Sequence, residues 1–274
     1  MQHNLLIEHI VTQLKPVQGI QAIVLGGSYA SGMQHPDSDI DIALYYSEAQ
    51  PLDTEQVRTI AIALNDTPDP VVTDIGGWGH WVNGGGWLTI QGQRVDFLYR
   101  DSDFVSRTLD DCANGLFEID CLQQPPYGFY SYMYCAETQI CKSLYDADNV
   151  LPILKAKVTT YPQRLKQAVI QQCLWSASFS LENAHKAASR GDIYFTTGCV
   201  TRAISMLIQV LYALNETYFL SEKNLAKRTK AFEILPNGFL KRVEAILSNM
   251  GSDAQQLVVS VTSASSLLQD LRAL

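Results

Sequence analysis

The sequence predicts an α+β fold in which a small domain with a mixed β-sheet is followed by an all-helical bundle. The segments with the composition of β-strands all lie before about residue 100. From about residue 150 onward, apolar residues recur at the spacing of an α-helix. We therefore expect two domains, residues 1–148 and residues 149–274.

Local patterns define the elements of the first domain. Residues 2–14 carry apolar side chains at helical spacing and end before Pro16. Asp53 is a typical helix N-cap, and residues 91–92 are typical of a hairpin turn. The predicted elements are helix 2–14, strands 20–25 and 39–46, a helix from 53 or 54 to 64, a hairpin of 88–90 and 94–99, helix 103–113 and a helix after Pro125 and Pro126.

The rest of the chain shows helical periodicity throughout. Gly191 ends one long helix, and Asp192 caps the next. Shorter helices over 222–233 and 238–249 precede a last helix over 254–271. We find no repeat and no low-complexity tract.

The composition is that of a globular protein with a substantial core. Of the 274 residues, 47% are hydrophobic and 18% are charged. The N-terminus lacks a basic region followed by an unbroken apolar run, and no segment has the pattern of a membrane span. We therefore expect a cytoplasmic protein without a membrane partner. The six cysteines show no zinc-binding spacing and are expected to be buried thiols.

Two aspartates, Asp39 and Asp41, follow a turn formed by Gly26, Gly27 and Ser28. Side chains on a strand alternate between faces, so both carboxylates project to one side while their neighbours enter the core. Adjacent carboxylates repel each other unless a cation compensates them, and their hard oxygens suit Mg²⁺. The glycines let backbone N–H groups approach an anion, and the serine adds a hydroxyl donor. This stretch predicts a metal site beside a phosphate site.

This pattern resembles the DNA polymerase β-like nucleotidyltransferase superfamily, whose signature is an apolar residue, glycine, glycine or serine, a spacer, and then aspartate-apolar-aspartate-apolar. The resemblance implies a third carboxylate on a later strand, and Asp96 in the run 93–100 supplies it. Two alternatives remain. The turn could be a solvated hairpin with a capping aspartate. Asp96 could be an exposed strand residue, although aspartate is depleted from strand interiors.

The resemblance also implies a reaction. In nucleotidyl transfer, an acceptor hydroxyl attacks the α-phosphorus of a nucleoside triphosphate, here expected to be ATP, and expels pyrophosphate. Two Mg²⁺ ions are implied, one held by Asp39 and Asp41 and a second shared with Asp96. The two-domain architecture is similar to that of aminoglycoside and lincosamide nucleotidyltransferases. The implied acceptor is a small molecule bound with the help of the helical domain, and an antibiotic is one candidate.

Further site residues are chosen by position. Antibiotic nucleotidyltransferases often use a separate glutamate as base, and we select Glu137 over Glu118 and Glu182 because it lies near the predicted domain junction. A solvated helix glutamate is the alternative. Lys186, one turn before Arg190, could reach the triphosphate, although basic residues are also common at the ends of helices.

Charge is unevenly distributed between the predicted domains. Residues 1–148 contain 20 acidic and 6 basic residues, whereas residues 149–274 contain 8 and 14. One interpretation is a cleft with an acidic, metal-binding side and a basic side that helps to bind triphosphate. The alternative is that these charges only keep the protein soluble. The acidic total disfavours a nucleic-acid substrate, because phosphate binding depends on Lys and Arg.

Residues 76–87 form an unusual segment that is half glycine and contains three tryptophans. Trp81 or Trp87 could stack on a nucleobase or a sugar, but a tryptophan beside a hairpin can equally be a packing residue.

Three functions remain open at this stage. The first is a small-molecule nucleotidyltransferase, the second is an enzyme that nucleotidylates a protein, and the third is a non-catalytic nucleotide-binding module. The three acids argue against the third. Antitoxins that modify proteins usually carry Gly-Ser-x-Ala-Arg-Gly, whereas residues 27–32 read Gly-Ser-Tyr-Ala-Ser-Gly. The sequence predicts neither the acceptor nor the oligomeric state.

Overall fold

The computed structural model describes residues 2–274, which divide into two compact units. The first unit comprises the residues up to 112 together with 117–160, and the second comprises 113–116 and 161–274. The boundary lies at residue 160 rather than at the expected residue 148. The difference arises because a helix over 150–157 is anchored in the first unit: Lys155 donates to the Thr138 and Gln139 carbonyls (3.0 and 2.9 Å).

The first unit contains a six-stranded sheet, a small two-stranded sheet and six helices within the described residues. The strands are β1 (Ala22–Leu25), β2 (Ile40–Tyr46), β3 (Val71–Val72), β4 (Gly85–Ile90), β5 (Gln93–Asp101), β6 (Ile119–Asp120), β7 (Phe129–Tyr130) and β8 (Lys142–Asp146). The helices are α1 (Gln2–Leu14), α2 (Gly27–Ser31), α3 (Thr54–Leu64), α4 (Ser102–Ala113), α5 (Met133–Ile140) and α6 (Val150–Lys157).

The large sheet has the strand order β3-β4-β5-β2-β1-β8. Among its described strands, β2 and β5 alone pair in parallel, and the other neighbouring strands are antiparallel. The parallel pair requires a long crossover, which α3, β3 and β4 supply. The sheet is therefore mixed, and the predicted α+β fold is confirmed.

One face of this sheet is the core of the first unit. Alternate residues of the two parallel strands are buried on it, because a strand places every second side chain on the same face. Helices α1 and α3 cover this face with apolar side chains at helical spacing. The core includes Leu6, Ile10 and Leu14 of α1, Ile40, Ile42 and Leu44 of β2, Val57 and Ala61 of α3, and Val95, Phe97 and Tyr99 of β5.

The second unit is helical, as the periodicity predicts. Its long helices are α7 (Gln163–Ala188), α8 (Ile193–Leu214) and α11 (Ala254–Arg272). Asp192 caps α8 by accepting a hydrogen bond from the Phe195 N–H. The shorter helices are α9 (Leu225–Arg228), a 3₁₀ turn (Thr229–Ala231) and α10 (Phe239–Ser248).

Among the described helices, α8 alone has the length and apolar composition of a membrane span. More than half of its most apolar stretch, 61%, is buried inside the protein. That degree of burial is typical of the core helix of a soluble globular protein.

Candidate functional site

Two of the predicted acids lie side by side on the face of the sheet opposite the core. In the parallel pair, Asp41 of β2 is the register partner of Asp96 of β5. Neighbouring strands are about 4.8 Å apart, so the two carboxylates project from adjacent positions. Trp87 of β4 is in turn the partner of Asp96. A row therefore crosses the sheet from Trp87 through Asp96 to Asp41, and we call it the acid row.

Asp39 lies just before β2, at the same end of the sheet, and contacts a residue that the sequence did not indicate. Its Oδ1 is 2.5 Å from Nε of Arg94, and Nη2 of Arg94 donates to the Asp37 carbonyl (2.6 Å). The same Oδ1 is shielded from solvent and accepts no hydrogen bond. The positive charge of Arg94 therefore compensates the negative charge of Asp39 without a hydrogen bond to this oxygen.

The predicted glycine turn begins a short helix. Gly26 is the N-cap of α2, and its N–H donates to the Asp41 carbonyl (2.9 Å). Gly27 has φ +55°, which favours glycine, and a Cβ at this position would lie 1.7 Å from Oδ2 of Asp41. Ser28 follows in the first turn of α2. Gly27 thus lies directly against the Asp41 carboxylate, and Gly26 is hydrogen-bonded to the backbone of the same residue. The role of residues 26–28 in phosphate binding stays a prediction.

Glu137 lies on α5 and forms a two-pronged ion pair with Arg100. The carboxylate accepts from Nε and Nη2 of Arg100 at 3.1 and 3.3 Å. The side chain of Arg100 is only 5% exposed and lies over the ring of Tyr134. Burial lowers the pKa of Arg100, but the charge of Glu137, its hydrogen bonds to the guanidinium and the nearby Tyr134 and Tyr45 together outweigh burial and raise the pKa above its usual range. Arg100 stands four residues after Asp96 on β5, about 13 Å along the strand.

Glu137 therefore has a structural partner that the sequence did not show. We expect Glu137→Gln to lower the free energy of unfolding by about 3 kcal/mol, near the lower end of the cost of breaking a buried pair, because Glu137 itself is partly exposed. The double variant Arg100→Met/Glu137→Leu should recover most of this loss, since it leaves no buried charge. Urea unfolding measures both effects.

The same variants test Glu137 as the predicted base. If the double variant is as stable as the native protein and still catalyses transfer, Glu137 is not the base. A stable but inactive double variant, together with an active Arg100→Met single variant, would support the predicted role.

Lys186 lies in the last turn of α7 in the second unit and is exposed. Arg190, expected on the same helix, lies instead just beyond its end. The role of Lys186 in phosphate binding stays a prediction.

The tryptophans of residues 76–87 have different environments. Trp81 is buried and packs against Phe104 and Phe129, so it is a packing residue. Trp87 is 55% exposed, and its ring stacks on that of Trp78 with centroids 4.9 Å apart.

Among residues 2–274, no three or more His, Cys, Asp or Glu side chains are arranged to hold a metal ion. The Asp39 carboxylate contacts Arg94 instead. The residues nevertheless fit Mg²⁺ chemically, since Asp41 and Asp96 are adjacent and Asp39 Oδ1 lacks a hydrogen-bond donor.

Two segments of the chain are similar to known protein families. Residues 8–73 match the family model "Polymerase beta, Nucleotidyltransferase", and residues 133–223 match a domain of unknown function, DUF4037. No curated protein sequence shows significant similarity to the chain. A solved structure described as a nucleotidyltransferase-like protein from Exiguobacterium sibiricum is similar at 12% identity, with 96% of this chain and 74% of that chain covered and a TM-score of 0.49. The first family match contains Gly26 to Ser28, Asp39 and Asp41, so residues 8–73 of this chain are similar to the polymerase β nucleotidyltransferase family.

Proposed function

We propose that the protein is an Mg²⁺-dependent nucleotidyltransferase that moves a nucleoside monophosphate from a nucleoside triphosphate to a hydroxyl group of a small molecule. The observation that carries this proposal is the contact between Gly27 and Asp41 at the end of the acid row. This contact supports the proposal because glycine lets the backbone approach phosphate and the neighbouring carboxylates suit a cation. ATP is the proposed donor.

The three aspartates would hold the metal. Asp41 and Asp96 are adjacent, and Asp39 would exchange its contact with Arg94 for the cation. When bound, Mg²⁺ neutralises triphosphate charge and lowers the pKa of the acceptor hydroxyl. The residues of this chain then serve to bind and orient the two substrates, which is the main requirement of phosphoryl-group transfer.

The chemical step is an in-line displacement at the α-phosphorus. The acceptor oxygen forms a new P–O bond while the bond to pyrophosphate breaks. The proton of the acceptor hydroxyl needs a nearby carboxylate. Asp96 is better placed for this role than Glu137, because it stands in the acid row whereas Glu137 is bound to Arg100. The backbone of Gly26 and Gly27 and the Ser28 hydroxyl are the proposed phosphate ligands.

As the acceptor we propose a small molecule, bound with the help of the helical second unit, and an antibiotic remains one candidate. Protein nucleotidylation is less favoured because Ser31 stands where the antitoxins usually have arginine.

The direct test is to incubate the protein with each α-³²P-labelled nucleoside triphosphate, Mg²⁺ and a panel of hydroxyl-bearing acceptors. We expect one labelled small molecule, release of pyrophosphate, and loss of both with EDTA. Labelling of a protein instead would favour the antitoxin-like activity. Failure of every triphosphate to bind or react would contradict nucleotidyl transfer.

A further inference from the structure

We propose that Trp87, supported by Trp78, is the platform on which a ring of the acceptor stacks, and that it thereby selects acceptors whose reactive hydroxyl is carried on a ring. This inference rests on the proposed nucleotidyl transfer and names the acceptor side of that same site. It assigns a role to the glycine- and tryptophan-rich segment, residues 76–87.

Trp87 lies in the acid row, beside the proposed catalytic carboxylates. Across the sheet, Trp87 pairs with Asp96, Asp96 pairs with Asp41, and Gly27 lies against Asp41. The proposed phosphate ligands and the exposed indole are therefore at opposite ends of one row. Side chains paired across two antiparallel strands have Cβ atoms about 5 Å apart, so the indole begins right beside the Asp96 carboxylate.

The geometry of the proposed reaction indicates the side from which the acceptor approaches. In an in-line displacement, the attacking and leaving oxygens lie on opposite sides of the phosphorus. If pyrophosphate leaves toward residues 26–28, the acceptor oxygen must approach from the side of Asp96. Trp87 is a large, exposed aromatic side chain on that side.

The tryptophan pair is held in place by its own segment. A Cβ on Gly85 would lie 2.8 Å from the Trp78 ring and 1.8 Å from the Phe97 carbonyl oxygen, so only glycine lets that ring lie on β4. The Trp78 N–H donates to the Asn83 carbonyl (2.9 Å), and the Asn83 side chain donates to the Tyr46 hydroxyl (2.9 Å).

The result is a preformed surface rather than a flexible one. The indole of Trp87 rests against Trp78 at an interplanar angle of 22° and remains more than half exposed. A flat aromatic face that is already ordered binds a ring at a low entropic cost. The faces of sugar rings and of aromatic rings both offer the complementary shape, and acyclic polyols do not.

The experiment uses the full chain with Mg²⁺ and α,β-methylene-ATP, a donor analogue that is not transferred. Saturation-transfer NMR is recorded with three sets of probes, namely methyl glycosides, phenolic or nucleoside rings, and acyclic polyols. We expect ring probes, and not acyclic ones, to receive saturation from the native protein. Whether the sugar or the aromatic set responds identifies the kind of ring.

Three variants decide the role of the indole. We expect Trp87→Ala to weaken binding of the responding probe about tenfold, the size of a lost stacking contact. Trp87→Phe, which keeps an aromatic face, should stay close to the native affinity. Ile62→Ala is the control, because Ile62 is 48% exposed on α3, which covers the opposite face of the sheet.

A thermal shift with Mg²⁺ and the analogue separates the two proposals. If the native protein shows no shift, nucleotide binding fails and the proposed function fails with it. If the shift is present but no ring probe binds, or binding survives Trp87→Ala, the platform is wrong while the function stands. If Trp87→Ala abolishes the nucleotide shift instead, Trp87 holds the nucleobase and the acceptor assignment is overturned.

Discussion

Replacing Asp41 by asparagine is expected to lower nucleotidyl transfer at least about a thousandfold, because metal stabilisation of the transition state is worth several kcal/mol and each 1.36 kcal/mol is tenfold in rate. The fold should survive. Asparagine is nearly isosteric with aspartate, and removing one of two adjacent carboxylates, Asp41 beside Asp96, relieves repulsion in the absence of metal. Asp39→Asn should show the same loss.

The measurement is the initial rate with labelled ATP and Mg²⁺, beside the melting temperature of each variant. Asp37→Asn is the matched control, because its carboxylate is 88% exposed and lies close to the motif in sequence. We expect it to keep native activity. Native turnover by Asp41→Asn would refute the metal assignment, and a similar loss in Asp37→Asn would show that the effect is not specific to the acid row.

The sequence predicts the fold well where the pattern is local. The strand that begins at Ile40 has alternating faces, and the turn at residues 91–92 joins two strands of a hairpin, so both elements appear as expected. Strand β8 (Lys142–Asp146) was not predicted, because its side chains are exposed or half-buried and show no apolar run. It is a strand because it pairs with β1 at the edge of the sheet.

The candidate site, too, has residues that local patterns predict and contacts that they do not predict. Asp39 and Asp41 follow the glycines closely in sequence and are found from this local pattern. Asp96 lies on a later strand and was found through the family resemblance. The contacts of Arg94 with Asp39 and of Arg100 with Glu137 depend on how distant segments align. The register of a parallel pair is set by the whole crossover between its strands, and no local pattern encodes it. Sequence reasoning therefore found the charged groups of the site but not their partners.

Gly27 is expected to be as sensitive as the aspartates, although it has no functional group. A Cβ at this position would lie 1.7 Å from Oδ2 and 2.6 Å from Cγ of Asp41, so even alanine must displace the carboxylate. We expect Mg²⁺ with ATP to raise the melting temperature of the native protein, and we expect Gly27→Ala to abolish both this rise and transfer. The cause is a displaced Asp41 and a blocked approach of phosphate to the backbone.

Gly32→Ala is the matched control for backbone strain. Gly32 also has a positive φ, +68°, at the C-cap of the same helix, but a Cβ there would meet no atom within 4 Å. Both variants bear the cost of a side chain in the left-handed region, about 1–2 kcal/mol, and only Gly27→Ala adds the collision with Asp41. Differential scanning fluorimetry with and without Mg²⁺ and ATP should therefore show a normal shift for Gly32→Ala and none for Gly27→Ala. A normal shift in folded Gly27→Ala would mean that the protein still binds nucleotide when Asp41 is displaced. The contact between Gly27 and Asp41 would then not contribute to nucleotide binding.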